Sequence, residues 1–462
     1  MRILFINLER SLFEDLPHPK HGLAPLDLGS AMQAATQAGH QVEFIETGTG
    51  QVKLHTLLQR VERDPAEMVV LKPDFESIQF ASTLAAAARP EERHVLWFGP
   101  PASHSHAWLL KRVPDSFVAV DETDRIVAEM AECSRHGKDL RKVPGIAHWK
   151  DGVVVRSPAR PLEQELDRLP MPRHDLLIEG GYNFHYPLKP KKGRLKMGYL
   201  LSSRGCPYSC TFCSEVERAS FGKRYRMHSP ERMAFELTEL NQLGATGVYF
   251  EDDLFAIDKA RFLEMSHAIE GARGDISWCA QVRAGDIDDE VAEAMARAGC
   301  ASVACGIESG SDRVLSLLRK GTTVDAMQRG AQALKRAGIG LVAYVIIGVP
   351  GETAEEREST LRLAESLDAS LVQVHVFVSY PGTQAMDEHP ELGGAGATKF
   401  VPSPSRPDHE ELLALQRQFY RRFYLSPGNL MRHAVSRFPQ IMANPGGELR
   451  NAWSLAKHAV GL

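Results

Sequence analysis

From residue 197 to residue 378 the chain repeats one unit six times: a short apolar run, then a polar stretch with helical periodicity. The apolar runs are MGYLLSS, GVYFED, ISWCAQ, SVACGIE, LVAYVIIG and LVQVHVFV. Strands that alternate with helices are joined by crossovers, and crossovers make a parallel sheet. Repeats of roughly thirty residues match a partial (β/α)6 barrel, whose chemistry sits at the carboxyl ends of its strands. Punctuation agrees with this: Ser229–Pro230 offers an N-cap and a first-turn proline, and Gly299 closes the helix before Cys300.

A second alternating pattern comes first in the chain. RILFIN at 2–7, VEFIET, VVLKP at 69–73 and HVLWFG at 94–99 are separated by helical stretches, the first from Leu26 to a stop at Gly39. This predicts a doubly wound, Rossmann-like domain over residues 1–125, with ligands at its strand ends, Asn7–Arg10, Pro73–Phe75 and Gly99–Ser103. Residues 126–195 read as a linker, because Pro158, Pro161, Pro170, Pro172, Pro187 and Pro190 interrupt the alternation in its second half. The barrel then covers 196–385. A C-terminal helical segment, 386–462, is loop-rich at first and includes a basic, aromatic helix near Glu410–Tyr424.

A chain of 462 residues is too long for one core, which agrees with several domains. Its net charge of −5 gives no reason to expect nucleic acid or an anionic membrane as partner. No apolar run reaches the roughly eighteen residues a membrane span needs, so a cytoplasmic protein is expected. Seven cysteines are too few for a disulfide scaffold, and three of them crowd into R-G-C-P-Y-S-C-T-F-C, as Cys206, Cys210 and Cys213.

Three thiolates in a loop after the first barrel strand are iron–sulfur ligands by type. On a four-iron cluster they leave one iron open for a substrate group. A structural zinc loop would want a fourth ligand from a second set, which this sequence lacks. Cys279, Cys300 and Cys305 have no such spacing and read as buried small apolar residues.

C-x-x-x-C-x-x-C at this point of a βα barrel resembles the radical S-adenosylmethionine (SAM) superfamily. The resemblance implies a [4Fe–4S] cluster on Cys206, Cys210 and Cys213, with the amino and carboxylate groups of SAM on the open iron. Reductive cleavage of SAM would give a 5′-deoxyadenosyl radical. Phe212 matches the aromatic that packs on adenine. Glu251 and Asp252, in Phe-Glu-Asp-Asp at the end of the second barrel strand, stand where the family binds the methionine ammonium. Which of them does so is open, and Asp253 also suits a helix N-cap. Glu308 and Ser309 fall at the family's ribose contact. Ile346 and Gly348 fall in its adenine segment, with Glu352 one residue out of step. Arg283 suits either the SAM carboxylate or a surface ion pair.

A doubly wound domain ahead of such a barrel resembles the cobalamin-binding class of that superfamily. Gly22–Ser30, Gly39–Val42 and Leu166–Pro172 carry the likeness. The class's Ser-x-Leu segment is here Leu71-Lys72-Pro73, its paired glycines are Gly99-Pro100, and His18 and His21 are the loop histidines available to cobalt. The resemblance implies a cobalamin-dependent methyltransferase acting on an unactivated carbon of a small molecule, served by an electron donor such as flavodoxin or ferredoxin. The alternative is a dehydratase, epimerase or cyclase that keeps the N-terminal domain as scaffold. The basic helix around Arg417, Arg421 and Arg422 reads as a solvated charged face.

Overall fold

A computed structural model of the chain describes residues 1–8, 23–48, 54–74, 77–89, 91–182, 188, 195–213, 221–380, 383–393 and 406–426. His18, His21, Gly22 and Phe75 lie outside the described residues, as does most of the 386–462 segment. The described residues fall into two compact units. The first lies within Met1–Pro207, Glu215–Gln281 and Ala294–Ser302; the second lies within Tyr208–Ser214, Val282–Glu293 and Val303–Leu462.

The first unit begins with a seven-stranded sheet: β1 (Arg2–Leu8), β2 (Gln41–Glu46), β3 (Met68–Pro73), β4 (His94–Trp97), β5 (Phe117–Ala119), β6 (Ile146–Lys150) and β7 (Val153–Arg156). The order is β2-β1-β3-β4-β5-β6-β7. β1 to β5 are parallel, and β6 and β7 add antiparallel. Ile3, Leu4, Phe5 and Ile6 are all fully buried, as strands covered on both faces require. The helix Leu26–Gln37 ends as expected, with Gly39 at φ +79°.

The sheet does not stop near residue 125. Asp151 and Gly152 both take positive φ, 50° and 84°, the tight turn that folds β6 onto β7. Beyond that hairpin the proline-rich stretch packs on the first helix. The Arg173 amide donates to the Gly29 carbonyl (3.2 Å), and a side chain at Gly29 would meet Leu177 and Pro172.

The same unit holds the first half of the barrel: β8 (Met197–Leu200), the short β9 (Ser203–Arg204) and β10 (Arg226–Met227), β11 (Gly247–Phe250) and β12 (Ser277–Val282). β11 lies parallel between β8 and β12, with Tyr199, Tyr249 and Cys279 in register. Ser229 caps the helix Pro230–Gln242 by accepting from the Arg232 amide. The next helix, Lys259–Ala272, is capped by Asp258 and not by Asp253, because the chain first makes a turn over 253–256.

The second unit holds β13 (Cys300–Glu308) from Val303 onward, β14 (Gly340–Ile347) and β15 (Leu371–Val376). All six predicted strands form; β15 pairs parallel with β14 and is an edge. The helix His409–Tyr424 covers that edge. Tyr424 Oη accepts from the Val372 amide (3.1 Å) and donates to its carbonyl (2.9 Å). Tyr420 does the same for Val374 (3.0 and 3.3 Å). An uncovered edge strand would offer these groups to another chain. Arg422 pairs with Glu365 and Glu358 within the unit.

Candidate active site

In the first unit, β8 leads through Ser202 and Ser203 to the cysteine loop. Asp252, just past β11, accepts from the Ser202 amide (3.0 Å), the Ser202 hydroxyl (2.6 Å) and the Ser203 hydroxyl. It is buried; burial pushes its carboxyl up, against the lowering effect of these hydrogen bonds. Asp252 therefore fastens the exit of β8. Cys206 is half-buried.

In the second unit, Cys210 and Cys213 are also half-buried, and their segment is tied at both sides. The Thr211 amide donates to the Leu318 carbonyl, and the Ala385 amide donates to the Thr211 carbonyl, both at 3.0 Å. Phe212 packs against an apolar cluster of Val314, Leu318, Ile346, Val349 and Phe377. The predicted adenine aromatic and the predicted adenine segment thus meet.

Glu308 ends β13 with φ +59°, a left-handed conformation that non-glycine residues seldom adopt and that collects at functional sites. Its Oε1 takes a hydrogen bond from Lys320 Nζ at 2.7 Å, and both side chains are buried. Burial lowers the Lys320 ammonium, yet the charges of Glu308 and Cys210 outweigh it and hold the group above its ordinary value. Lys320 also stands 5.8 Å from the Phe212 ring centroid. No sequence motif marks Lys320, since a lysine after a helix has no pattern of its own.

Arg283 is buried, and its ion pair is with the part-exposed Asp286 (3.4 Å). It donates to the carbonyls of Lys320 (2.6 Å) and Gly321 (3.0 Å) and lies 3.6 Å from the Tyr208 ring centroid. Ser309 is fully buried and bonded to Thr360 (3.0 Å) and the Ser311 amide (3.2 Å). Gly348, at φ +75°, donates its amide to Glu352 Oε2 (2.7 Å) and gives its carbonyl to Arg406 (2.7 Å). Burial pushes the Glu352 carboxyl up to about 7. Glu352 and Arg406, both absent from the predicted set, hold the turn between them. Cys279, Cys300 and Cys305 are buried, and burial pushes the Cys305 thiol up to about 12.

The donor set suits an iron–sulfur cluster: three sulfurs within eight residues, with a buried cation beside one of them. Among the described residues no three His, Cys, Asp or Glu side chains are already gathered at metal-ligand spacing. At the carboxyl edge of the N-terminal sheet, Lys72 pairs with Asp27 (2.8 Å). Gly99, at φ +86°, lies so close to the Lys72 stem that a side chain there would stand 3.0 Å from Nζ. Of the two glycines expected for cobalamin, the remaining one still lets the backbone approach a ligand, and Pro100 opens the next helix without an amide donor. A cofactor at that edge would approach over the Gly99 backbone, where the Lys72 stem, held by Asp27, now stands.

This fold and loop define a class, the SAM-cleaving iron–sulfur enzymes built on a parallel βα barrel. Residues 200–364 match the Radical SAM superfamily. An uncharacterized methyltransferase of Pyrococcus horikoshii is 31% identical over 350 residues, 75% of this chain and 74% of that protein. The anaerobic magnesium-protoporphyrin IX monomethyl ester cyclase of Rubrivivax gelatinosus is 27% identical, over 69% of this chain and 58% of its own length. Among solved structures, TsrM from Kitasatospora setae, a radical SAM methyltransferase with cobalamin and a [4Fe–4S] cluster bound, superposes with a TM-score of 0.69. It shares 19% identity and covers 83% of this chain and 76% of its own. The cobalamin-dependent SAM radical enzyme OxsB gives 0.66 at 17% identity, over 84% and 55%. The chain belongs to the radical SAM superfamily and is an enzyme that uses a [4Fe–4S] cluster and SAM. Among the described residues no helix is long and apolar enough to cross a membrane.

Proposed function

We propose that this enzyme is a cobalamin-dependent methyltransferase that places a methyl group on an unactivated carbon of a small molecule. One observation carries the proposal. A parallel sheet in the order β2-β1-β3-β4-β5, whose ligand edge lies at the β1/β3 switch, precedes a radical SAM barrel in one chain. When bound, the cluster would supply the electron that opens the sulfonium of SAM, and cobalamin would supply the methyl group.

The chain's own residues hold and orient. Cys206, Cys210 and Cys213 are the cluster ligands. Phe212 and Ile346 offer adenine an apolar wall. Glu308, steadied by Lys320, takes the ribose hydroxyls. Glu251 and Asp252, at the end of β11, face the methionine ammonium, with Asp252 also holding Ser202 and Ser203. Arg283, Ser309 and Gly348 shape the loops around these groups. Cobalamin would lie at the strand ends of the N-terminal sheet, over the Gly99 turn, where Lys72 narrows its approach. The domain limits 1–125, 126–195, 196–385 and 386–462 serve as the functional division, with the β6–β7 hairpin attached to the first. A flavodoxin or ferredoxin would deliver the electron.

Anaerobic protein reconstituted with SAM and dithionite, with and without hydroxocobalamin, tests this. S-adenosylhomocysteine together with 5′-deoxyadenosine, dependent on hydroxocobalamin, is the expected outcome. 5′-Deoxyadenosine alone in both arms refutes methyl transfer. That result would favour the non-methylating reading, a dehydratase, epimerase or cyclase, which the Lys72–Asp27 pair beside Gly99 supports.

A further inference from the structure

Immediately before Cys206 stand Arg204 and Gly205, and neither is accounted for by cluster chemistry. Arg204 lies in β9 directly opposite Arg226 in β10. Two like charges facing each other across a ladder repel, so the pair needs counter-charge. It comes from the loop beyond β5, at the ligand edge of the N-terminal sheet. Arg204 forks onto Asp124 (2.7 and 2.8 Å), and Glu122 Oε1 takes a further bond from Arg204 (3.0 Å) and one from Arg226 (3.2 Å). Glu122 Oε2 also accepts from the Glu163 amide (2.8 Å), and Arg226 donates to the carbonyls of Glu163 and Phe221. Asp124 is further bonded to Ser30, on the first helix of the sheet.

All four charged residues are at most 5% exposed, and their charges balance two against two. A buried network of this kind does little for net stability, because the cost of desolvating the ions offsets their attraction. What it does supply is geometry: the planar guanidinium accepts only one arrangement of its carboxylates. Gly205 completes the fixture. It sits at φ +89°, and a side chain there would collide with the carbonyl oxygens of Arg224 and Gly222.

We infer that Arg204 is a positioning residue that fastens the root of the cysteine loop to the N-terminal sheet, so that the sheet sets where Cys206 presents its sulfur. This rests on the assignment of Cys206 as a cluster ligand. Substrate and SAM need never touch Arg204; a shift on the order of an ångström at a ligand costs roughly a hundredfold in rate.

The test is Arg204→Lys, which keeps the charge balance and loses the fork. Expected are wild-type iron content and an unchanged thermal midpoint. The paramagnetic resonance spectrum of the reduced cluster with SAM should become a mixture of species, and 5′-deoxyadenosine formation should fall on the order of tenfold to a hundredfold. Should Arg204→Lys fail to fold, Ser30→Ala loosens Asp124 without altering charge and should give a smaller change of the same kind. A wild-type spectrum and rate in whichever variant folds overturns the positioning role. Cys206→Ala separates the two claims: if it keeps its full iron content, the ligand assignment fails. If it loses iron while Arg204→Lys behaves as wild type, only the positioning role fails.

Discussion

Replacing Lys320 by Met removes one half of the ion pair that steadies Glu308. Both side chains are about 10% exposed or less, and their contact is 2.7 Å. Methionine leaves the Glu308 carboxylate buried without its counter-ion, and breaking a buried pair from one side costs about 3–5 kcal/mol. Removing both charges, in Lys320→Met with Glu308→Gln, relieves most of that cost, so the two substitutions should couple by more than about 1.5 kcal/mol. Gly306 gives an independent route to the same end. A side chain there would collide with Glu308 Oε1 and Lys320 Nζ, so Gly306→Ala should mimic Lys320→Met while leaving both charges in place. The assay is urea unfolding of the full chain under anaerobic conditions, with SAM binding measured on the same samples. Lys320→Met should lower the midpoint and weaken SAM binding, and the double variant should regain stability without regaining SAM affinity. A single variant within about 0.5 kcal/mol of wild type, or additive single variants, would refute the argument.

Tyr420→Phe and Tyr424→Phe each remove one donated and one accepted hydrogen bond at the β15 edge. Each should cost about 1–3 kcal/mol and speed amide exchange at Val372 and Val374. Asp252→Asn weakens the acceptor of the two serines, and iron uptake should fall as the exit of β8 loosens, measured as iron per chain. Glu352 has a folded-state pKa of about 7 against an ordinary 4.5. Its contribution to stability is therefore full below about pH 4.5 and is lost as pH rises through about 7; Glu352→Gln should flatten that decline in urea midpoints. Glu236 behaves oppositely. Burial would raise it, but the hydrogen bond and charge of His174, with the charge of Arg232, hold it at about 2. Its contribution is present above about pH 4.5 and lost as pH falls toward 2, and Glu236→Gln should remove that acid step.

The barrel strands and the parallel core of the first sheet were legible because each is a short apolar run between helical stretches. The β6–β7 hairpin was missed although Asp151–Gly152 between two apolar runs announced it, since the prolines that follow drew the whole stretch into a linker. Within the candidate site, the cysteines, Phe212 and Glu308 were candidates the sequence could put forward, because their chemistry or their motif is local. Lys320, Arg406 and Arg204 were not. Each acts on a partner distant in sequence: Lys320 is 12 positions from Glu308, Arg406 58 from Gly348, and Arg204 80 from Asp124. Asp252 shows the converse: the sequence places a carboxylate at the strand end, but its hydrogen-bond occupancy depends on neighbours fifty residues away.

The tyrosines that cover β15 stand four residues apart on a helix, and the valines they bond stand two apart on a strand. Four helical residues advance about 6.0 Å and two strand residues about 6.6 Å, so the two rulers nearly agree. The mismatch of about 0.6 Å grows with every step, and a hydroxyl can follow a strand this way for only two or three steps. A six-residue strand is about as long as such a seam can serve. One residue inserted between Tyr420 and Tyr424 would swing the second hydroxyl by about 100° and unzip it. The place where this barrel stops adding strands is thus written in the spacing of a helix that belongs to no βα unit.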